Sequence, residues 1–240
     1  MLTLHVNCLK VRWLLAGLGL LLSIHGHVQA ADKQSIPAAP FAVAQVRFER
    51  NATDGDVEVV FEVKGGKDGL SRLAVVSPDG RTVIDFKAPD ASTLGIRQFQ
   101  FESPEPKDNE RLKSAYPAGV YTFTGATATG EKFYSQYRLE HELPATAILL
   151  RPEDRTRRIS VEKVDITWAP LEHLGGVIVE IKQSESEVSI TSELPGTATS
   201  FAVPPGFLVP DTEYELSIGT VNEYGNISFV ETTFTTARQK

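Results

Sequence analysis

Hydrophobic and polar residues alternate in short segments from residue 42 onward, and this period of two predicts β-strands. Segment 57–63 shows the pattern most clearly, with valine or phenylalanine at every odd position and glutamate at positions 58 and 62. The strands predicted in the first half of the chain are 42–49, 57–63, 73–76, 82–86, 97–101, 120–123 and 132–139. No helical period accompanies them, so the sequence predicts an all-β protein.

The pattern restarts after Leu143-Pro144-Ala145, which predicts a domain boundary. The second series of predicted strands is 164–168, 177–181, 188–190, 201–203, 214–221 and 227–234. Short strands separated by proline and glycine turns, without intervening helices, are typical of β-sandwiches. The sequence therefore predicts two tandem sandwiches, 41–143 and 145–237. The mixed-charge segment 153–158 is expected in an exposed loop or at the rim between the domains, with a partner site there as the alternative.

The first thirty residues have the pattern of a secretory signal peptide. Lys10 and Arg12 precede an uncharged apolar run at 13–24, and Val28-Gln29-Ala30 places small residues where a signal peptidase cleaves. The alternative is an uncleaved anchor, but a spanning helix needs about 20 apolar residues. Cys8 lies before the apolar run rather than after it, so lipid anchoring is not expected. We expect a signal peptide at 1–30, a flexible leader at 31–40, and a periplasmic or secreted protein.

The second half resembles a fibronectin type III domain, over residues 145–237. Its segment 208–214 (LVPDTEY) fits the L-x-P-x-T-x-Y pattern of that family, in which Leu208, Pro210, Thr212 and Tyr214 are the matching residues. The resemblance implies that Leu208 fills the core, that Pro210 fixes a turn, and that the Tyr214 hydroxyl bonds an upstream main-chain group. It also implies that Trp168 is the core tryptophan.

The first half resembles the immunoglobulin-like sandwich modules of bacteria at a single turn. Segment 117–123 (PAGVYTF) is similar to the corner that enters a late strand in such modules. The resemblance gives Tyr121 the corner role that Tyr214 has in the second half.

The charge of the chain narrows the choice of partners. Two of the 24 basic residues and none of the 31 acidic residues lie in the first thirty, so the remainder has 22 basic and 31 acidic residues and a formal charge of −9. A surface of that sign repels phosphate backbones, so nucleic acid is not an expected partner. It also disfavours anionic lipid, and no stable membrane anchor is expected after cleavage.

No catalytic or metal-binding pattern is present in the sequence. Beyond residue 30 only His141 and His173 remain, in different predicted domains, and there is no Gly-x-Ser-x-Gly motif for a nucleophile. Both histidines are expected at solvated positions. Zinc needs three or four ligands, so we predict no metal and no cofactor. Calcium is the alternative, at Asp54-Gly55-Asp56 or in the charged loop of Asp108-Asn109-Glu110, although neither segment has the six to eight oxygens it requires.

Two tyrosines are candidate binding residues. Tyr134 is predicted to face away from the core on its strand, and Tyr224 lies in the loop 222–226 between two late strands. The sequence leaves three functions open: a non-catalytic interaction or spacer protein of the cell envelope, a carbohydrate- or cell-wall-binding accessory protein, or an unrecognised hydrolase. The absence of a catalytic pattern favours the first, with an envelope or extracellular protein as partner and a polysaccharide as the alternative.

The signal peptide gives a direct prediction. Protein exported by its native host should begin at Ala31, because the charged, apolar and small-residue regions before it match the three parts of a cleavable signal. Intact-mass analysis of the exported protein measures this. Retention of residues 1–30 would contradict it.

Overall fold

The computed structural model describes residues 38–88, 90, 94–106 and 108–238. The predicted signal peptide lies outside the described residues, as do positions 31–37 of the predicted leader. The end of that leader is paired with the first sandwich, because the Ala39 N–H donates to the Lys132 carbonyl at 2.9 Å and the Tyr134 N–H donates to the Ala39 carbonyl at 2.9 Å. No helix in the described part of the chain is long and apolar enough to cross a membrane.

Strands make up almost all of the regular structure. Those of the first half are β1 (Val43–Asn51), β2 (Val57–Lys64), β3 (Arg72–Val76), β4 (Thr82–Lys87), β5 (Gln98–Glu102), β6 (Gly119–Ala126) and β7 (Lys132–Leu139). Those of the second half are β8 (Leu149–Arg151), β9 (Thr156–Ile159), β10 (Asp165–Trp168), β11 (Gly176–Gln183), β12 (Ser189–Pro195), β13 (Ser200–Ala202), β14 (Glu213–Val221) and β15 (Ile227–Thr236). The all-β prediction is confirmed.

A short helix, α1 (Asn109–Ala115), interrupts the strands where the sequence predicted only a charged loop. The Asp108 carboxylate accepts a hydrogen bond from the Glu110 N–H at 2.9 Å and so caps the first turn. Leu112 is the buried residue of the helix. A helix of seven residues with one buried side chain has no repeating hydrophobic pattern, so nothing in the sequence indicated it.

Each half of the chain forms two sheets around its own core. The first half has sheets β1-β2-β5 and β4-β3-β6-β7, and the second has β13-β10-β8 and β12-β11-β14-β15. One core is built from inward residues such as Val59, Leu73 and Phe123, and the other from residues such as Ile166, Trp168 and Ile218. This is the sandwich arrangement expected from alternating strands.

The two sandwiches share one sheet. The end of β1 runs parallel to the start of β15, with Glu49 opposite Ile227 and Asn51 opposite Phe229. This pairing gives an eight-stranded sheet in the order β12-β11-β14-β15-β1-β2-β5, with β9 pairing the other end of β15. The described residues from 38 to 238 accordingly lie in one compact unit.

Four of the predicted signature residues of the second half, in segment 208–214, lie just before and at the start of β14, and the fifth, Trp168, ends β10. Leu208 and Trp168 are buried, and the indole Nε1 of Trp168 donates to the Ala198 carbonyl at 2.9 Å. The Tyr214 hydroxyl accepts from the Val209 N–H at 2.9 Å. The Thr212 hydroxyl donates to the Pro210 carbonyl at 3.0 Å and so closes the turn.

The first half has a similar contact between a buried tyrosine and the main chain, on β6. The Tyr121 hydroxyl donates to the Pro117 carbonyl at 3.1 Å. Tyr121 and Tyr214 each lie near the start of the strand that pairs with the last strand of their sandwich, β6 with β7 and β14 with β15. The ring of each tyrosine is buried, and its hydroxyl reaches main chain only a few residues upstream. Both sandwiches therefore have a tyrosine corner.

Replacing the Tyr214 hydroxyl tests how much this corner stabilises the protein. Tyr214→Phe should lower the free energy of unfolding by about 1 to 2 kcal/mol, because the Val209 N–H loses its partner while the ring keeps its packing. Chemical unfolding followed by Trp168 fluorescence measures it. Tyr134→Phe, on a ring that is 45% exposed, should leave the midpoint unchanged; equal stability of both variants would refute a stabilising corner.

Candidate functional site

The outer face of the eight-stranded sheet carries a broad open groove, of about 800 Å³, to which both sandwiches contribute. We call it the acidic face. Its carboxylates from the first sandwich are Glu49, Asp54, Asp56, Glu58 and Glu105. Those from the second sandwich are Asp154, Glu180, Glu215 and Glu231. Arg155 and Lys182 are the basic residues that line it.

Strand register sets these side chains side by side. Successive residues of a strand point to opposite faces, so the polar positions of neighbouring strands form rows across the sheet. In one row Glu180, Ser217 and Glu231 are successive partners on β11, β14 and β15. In another, Glu49 on β1 lies directly opposite Glu58 on β2. Like charges in directly opposed positions destabilise a sheet.

Few cations compensate this charge. The Arg47 guanidinium lies 2.6 Å from Glu49, and the Arg155 guanidinium lies 3.7 Å from Asp154, where both side chains are mostly exposed. Exposed ion pairs of the second kind contribute little. The acidic face therefore keeps a negative potential that attracts cationic groups.

Glu58 shows the electrostatic consequence. Partial burial raises the pKa of its carboxyl above the ordinary value, and the negative charges of Glu102, Glu49, Glu105 and Asp56 raise it further. Folding therefore disfavours the ionised form of Glu58. A positive charge brought near the acidic face would therefore stabilise the ionised form of Glu58.

Asn51 lies on the acidic face where β1 pairs with β15, and it bonds to carboxylates of both sandwiches. Its amide donates to the Glu231 carboxylate at 2.9 Å and to the Asp54 carboxylate at 3.2 Å. Beside it, the ring of Phe229 covers Gly219, where an added Cβ would lie 2.5 Å from the ring. Carboxylates of both sandwiches are thus fixed relative to each other by a direct contact.

The two tyrosines predicted as binding residues lie elsewhere. Tyr134 is exposed on β7, as its strand position predicted. Tyr224 lies at the tip of the loop 222–226, and its main-chain carbonyl accepts from the Tyr137 hydroxyl at 3.1 Å. The negative charge of Glu223 is the main reason that the pKa of Tyr224 lies above its ordinary value. Binding by either ring stays a prediction.

The histidines do not form a site. His141, predicted at a solvated strand end, is instead half-buried, with its ring 4.9 Å from that of Phe48 and its Nε2 2.9 Å from the Tyr116 carbonyl. That prediction was wrong because the segment after β7 packs against β1. His173 is exposed in a loop.

The segment considered for calcium is a tight turn between β1 and β2. The Asp54 carboxylate accepts from the Asp56 N–H at 3.1 Å and from the Asn51 amide, so it caps its own turn. Among the residues that the structure describes, no group of three or more His, Cys, Asp or Glu side chains is arranged to hold a metal ion.

Comparison with known proteins gives structural matches alone. No protein-family model matches the chain, and no curated protein matches it. The chain is similar to the FN1–FN3 domains of chicken CNTN1, with 15% identity over 85% of this chain and 67% of that one and a TM-score of 0.32. It is similar to a two-domain fibronectin type III segment of chicken tenascin, with 12% identity over 80% and 99% of the chains and a TM-score of 0.32. It is also similar to the fibronectin(III)-like modules of Clostridium thermocellum CbhA, with 13% identity over 84% and 92% and a TM-score of 0.34.

TM-scores of 0.32 to 0.34 are too low for these matches to carry an argument about this chain. The assignment of two β-sandwiches depends instead on the strand order of the sheets and on the tyrosine corners. A fold of this kind hosts many functions, so function has to be argued from the acidic face.

Neutralising Glu58 should stabilise the protein in a pH-dependent way. Its pKa is raised in the folded state, so the ionised form costs stability above that pKa, and the cost disappears as the pH falls below the unfolded value of about 4.3. Glu58→Gln should therefore raise the thermal midpoint at pH 7 and leave it unchanged near about pH 3.5. Thermal unfolding across this range measures the difference, with the exposed Glu172→Gln as control. A gain that is independent of pH would contradict the electrostatic cause.

Proposed function

We propose that this protein is a non-catalytic interaction and spacer protein of the cell envelope, which presents the acidic face to a positively charged segment of a protein partner. The opposition of Glu49 and Glu58 within a face built by both sandwiches carries the proposal. Arg47 compensates Glu49, but Glu58 stays surrounded by carboxylates that raise its pKa, so this concentration of charge is better explained by binding than by folding.

The shape of the face suits an extended segment. It crosses β11, β14, β15, β1 and β2, and it is an open groove rather than an enclosed pocket. An extended chain with lysine or arginine side chains would meet carboxylates along its whole length. Charge complementarity of this kind increases the rate of association and selects among partners.

The predicted export supports the envelope as the location. The sequence has the pattern of a signal peptide, and the chain after it has no cysteine, so the fold depends on its two cores rather than on disulfides. The β-sandwich fold is compatible with a binding or spacer role.

Carbohydrate binding is the alternative function. Sugar rings stack on exposed aromatic side chains, and Tyr134 offers one such ring. It lies on β7, which belongs to the second sheet of the first sandwich and not to the acidic face. The concentration of carboxylates therefore favours a basic protein segment over a neutral glycan.

A comparison of two triple variants tests the proposal. Glu58→Gln/Glu180→Gln/Glu231→Gln removes three charges from the face, and Asp165→Asn/Glu172→Gln/Glu187→Gln removes three exposed charges elsewhere. With a decalysine peptide as the probe, the face variant should bind roughly tenfold more weakly, at about 0.5 kcal/mol for each lost pair, and the control should bind like the parent.

The same proteins then serve as baits for the envelope fraction of the native host. A partner captured by the parent and by the control, but lost with the face variant, is the expected result. Equal weakening by both variants would show that net charge alone acts, and would overturn the proposed site. Capture that depends on Tyr134 and is released by a soluble glycan would favour the carbohydrate alternative.

A further inference from the structure

Asn226 is a fully buried polar residue whose side chain bonds only outside its own sandwich. Its Oδ1 accepts from the Phe48 N–H of β1 at 2.9 Å. Its Nδ2 donates to the Glu140 carbonyl at 2.7 Å and to the Glu142 carbonyl at 2.8 Å. Both N–H groups and the oxygen of the amide thus bond to the first sandwich or to the connecting segment, residues 140–148 between β7 and β8.

The rest of the loop 222–226 is shaped to hold Asn226 in place. The Asn222 side chain accepts from the N–H groups of Tyr224 and Asn226, both at 3.0 Å, and donates to the Glu142 carbonyl at 2.8 Å. Gly225 has a φ of +81°, and an added Cβ would lie 2.5 Å from the Tyr137 hydroxyl. Glycine is therefore required both by the backbone conformation and by the close approach of the first sandwich.

The connecting segment is fixed to the second sandwich by two further side chains. The Thr220 hydroxyl donates to the Ala145 carbonyl at 2.8 Å, and the Ser228 hydroxyl donates to the Pro144 carbonyl at 2.9 Å. Thr220 and Ser228 are buried. A linker with its carbonyls held in this way cannot act as a hinge without leaving buried polar groups unpaired.

We propose that the buried amide of Asn226 locks the two sandwiches into one cooperative unit with a single fixed angle, so that the acidic face is assembled before any partner arrives. The parallel pairing of β1 with β15 lies next to this lock, since Phe48 immediately precedes Glu49. Separation of the sandwiches would break the pairing and expose the amide contacts together. The inference rests on the proposed function in one respect, that the face it assembles is the binding face.

Coupled unfolding tests the lock without any ligand. Trp168 lies in the second core, and the other tryptophan of the chain is Trp13, in the predicted signal peptide. Leu73→Ala creates a cavity in the first core. In the locked protein it should lower the denaturant midpoint reported by Trp168 fluorescence as much as the midpoint reported by circular dichroism. In an Asn226→Ala background the Trp168 midpoint should no longer respond to Leu73→Ala.

A distance measurement covers the case in which Asn226→Ala folds poorly. Spin labels at Asp85→Cys and Glu185→Cys, both exposed, report on the two sandwiches in a Cys8→Ser chain. The parent should give one narrow distance distribution, and the milder Tyr137→Phe, which removes the bond to the Tyr224 carbonyl, should broaden it. Tyr224→Phe keeps that main-chain contact and should leave the distribution narrow.

Two results would overturn the inference. One is a Trp168 midpoint in the parent background that ignores Leu73→Ala, because the sandwiches would then unfold independently. The other is a broad distance distribution in the parent, because the angle would then not be fixed. Neither result depends on binding, so failure of the lock is distinguishable from failure of the proposed binding face.

Discussion

The edge of β15 that faces away from β14 is the constraint on which the rest of the structure depends. An unpaired strand edge presents free N–H and C=O groups that must be covered or paired. One end of this edge pairs with β9 of the same sandwich, and the other end pairs with β1 of the first sandwich. That second pairing joins one sheet of each sandwich into a single hydrogen-bonded sheet. It therefore determines the eight-stranded sheet, the position of Asn226 and the acidic face.

Electrostatic repulsion within the acidic face acts against the contacts that join the two sandwiches. The β1–β15 pairing and the buried amides favour close approach of the sandwiches, whereas Glu49, Glu58 and Glu231 accumulate like charge on the surface they create. Each sandwich keeps its own packed core, whose residues alternate with the charged ones along the strands, so the sheet tolerates the repulsion. A positively charged partner would relieve it, and the gain in free energy would appear as affinity.

Alternation predicted the strands, and the family resemblances at segments 208–214 and 117–123 implied the two tyrosine corners, because each of these features depends on residues that are close in sequence. The period of two placed every predicted strand on an observed one, and segment 208–214 located the corner of Tyr214. The pairing of β1 with β15 joins residues 178 positions apart, as in the bond from Phe48 to Asn226, and has no local signal. The acidic face was missed for the same reason. Its glutamates were recognised as polar positions of separate strands, but their common surface exists only through that long-range register. The strands β8 and β9 were not predicted, because their sequences LLR and TRRI show no alternation of apolar and polar residues.

The loop 222–226 shows how a local interpretation changes when its surroundings are known. By sequence it is an exposed loop between two late strands, with Tyr224 at its tip as a candidate contact. In the structure Asn226 is buried, and both N–H groups of its amide are donated to main-chain carbonyls. The loop connects the two halves of the protein through its main chain and amides, and the side chains it presents to solvent are the exposed Glu223 and the partly exposed Tyr224.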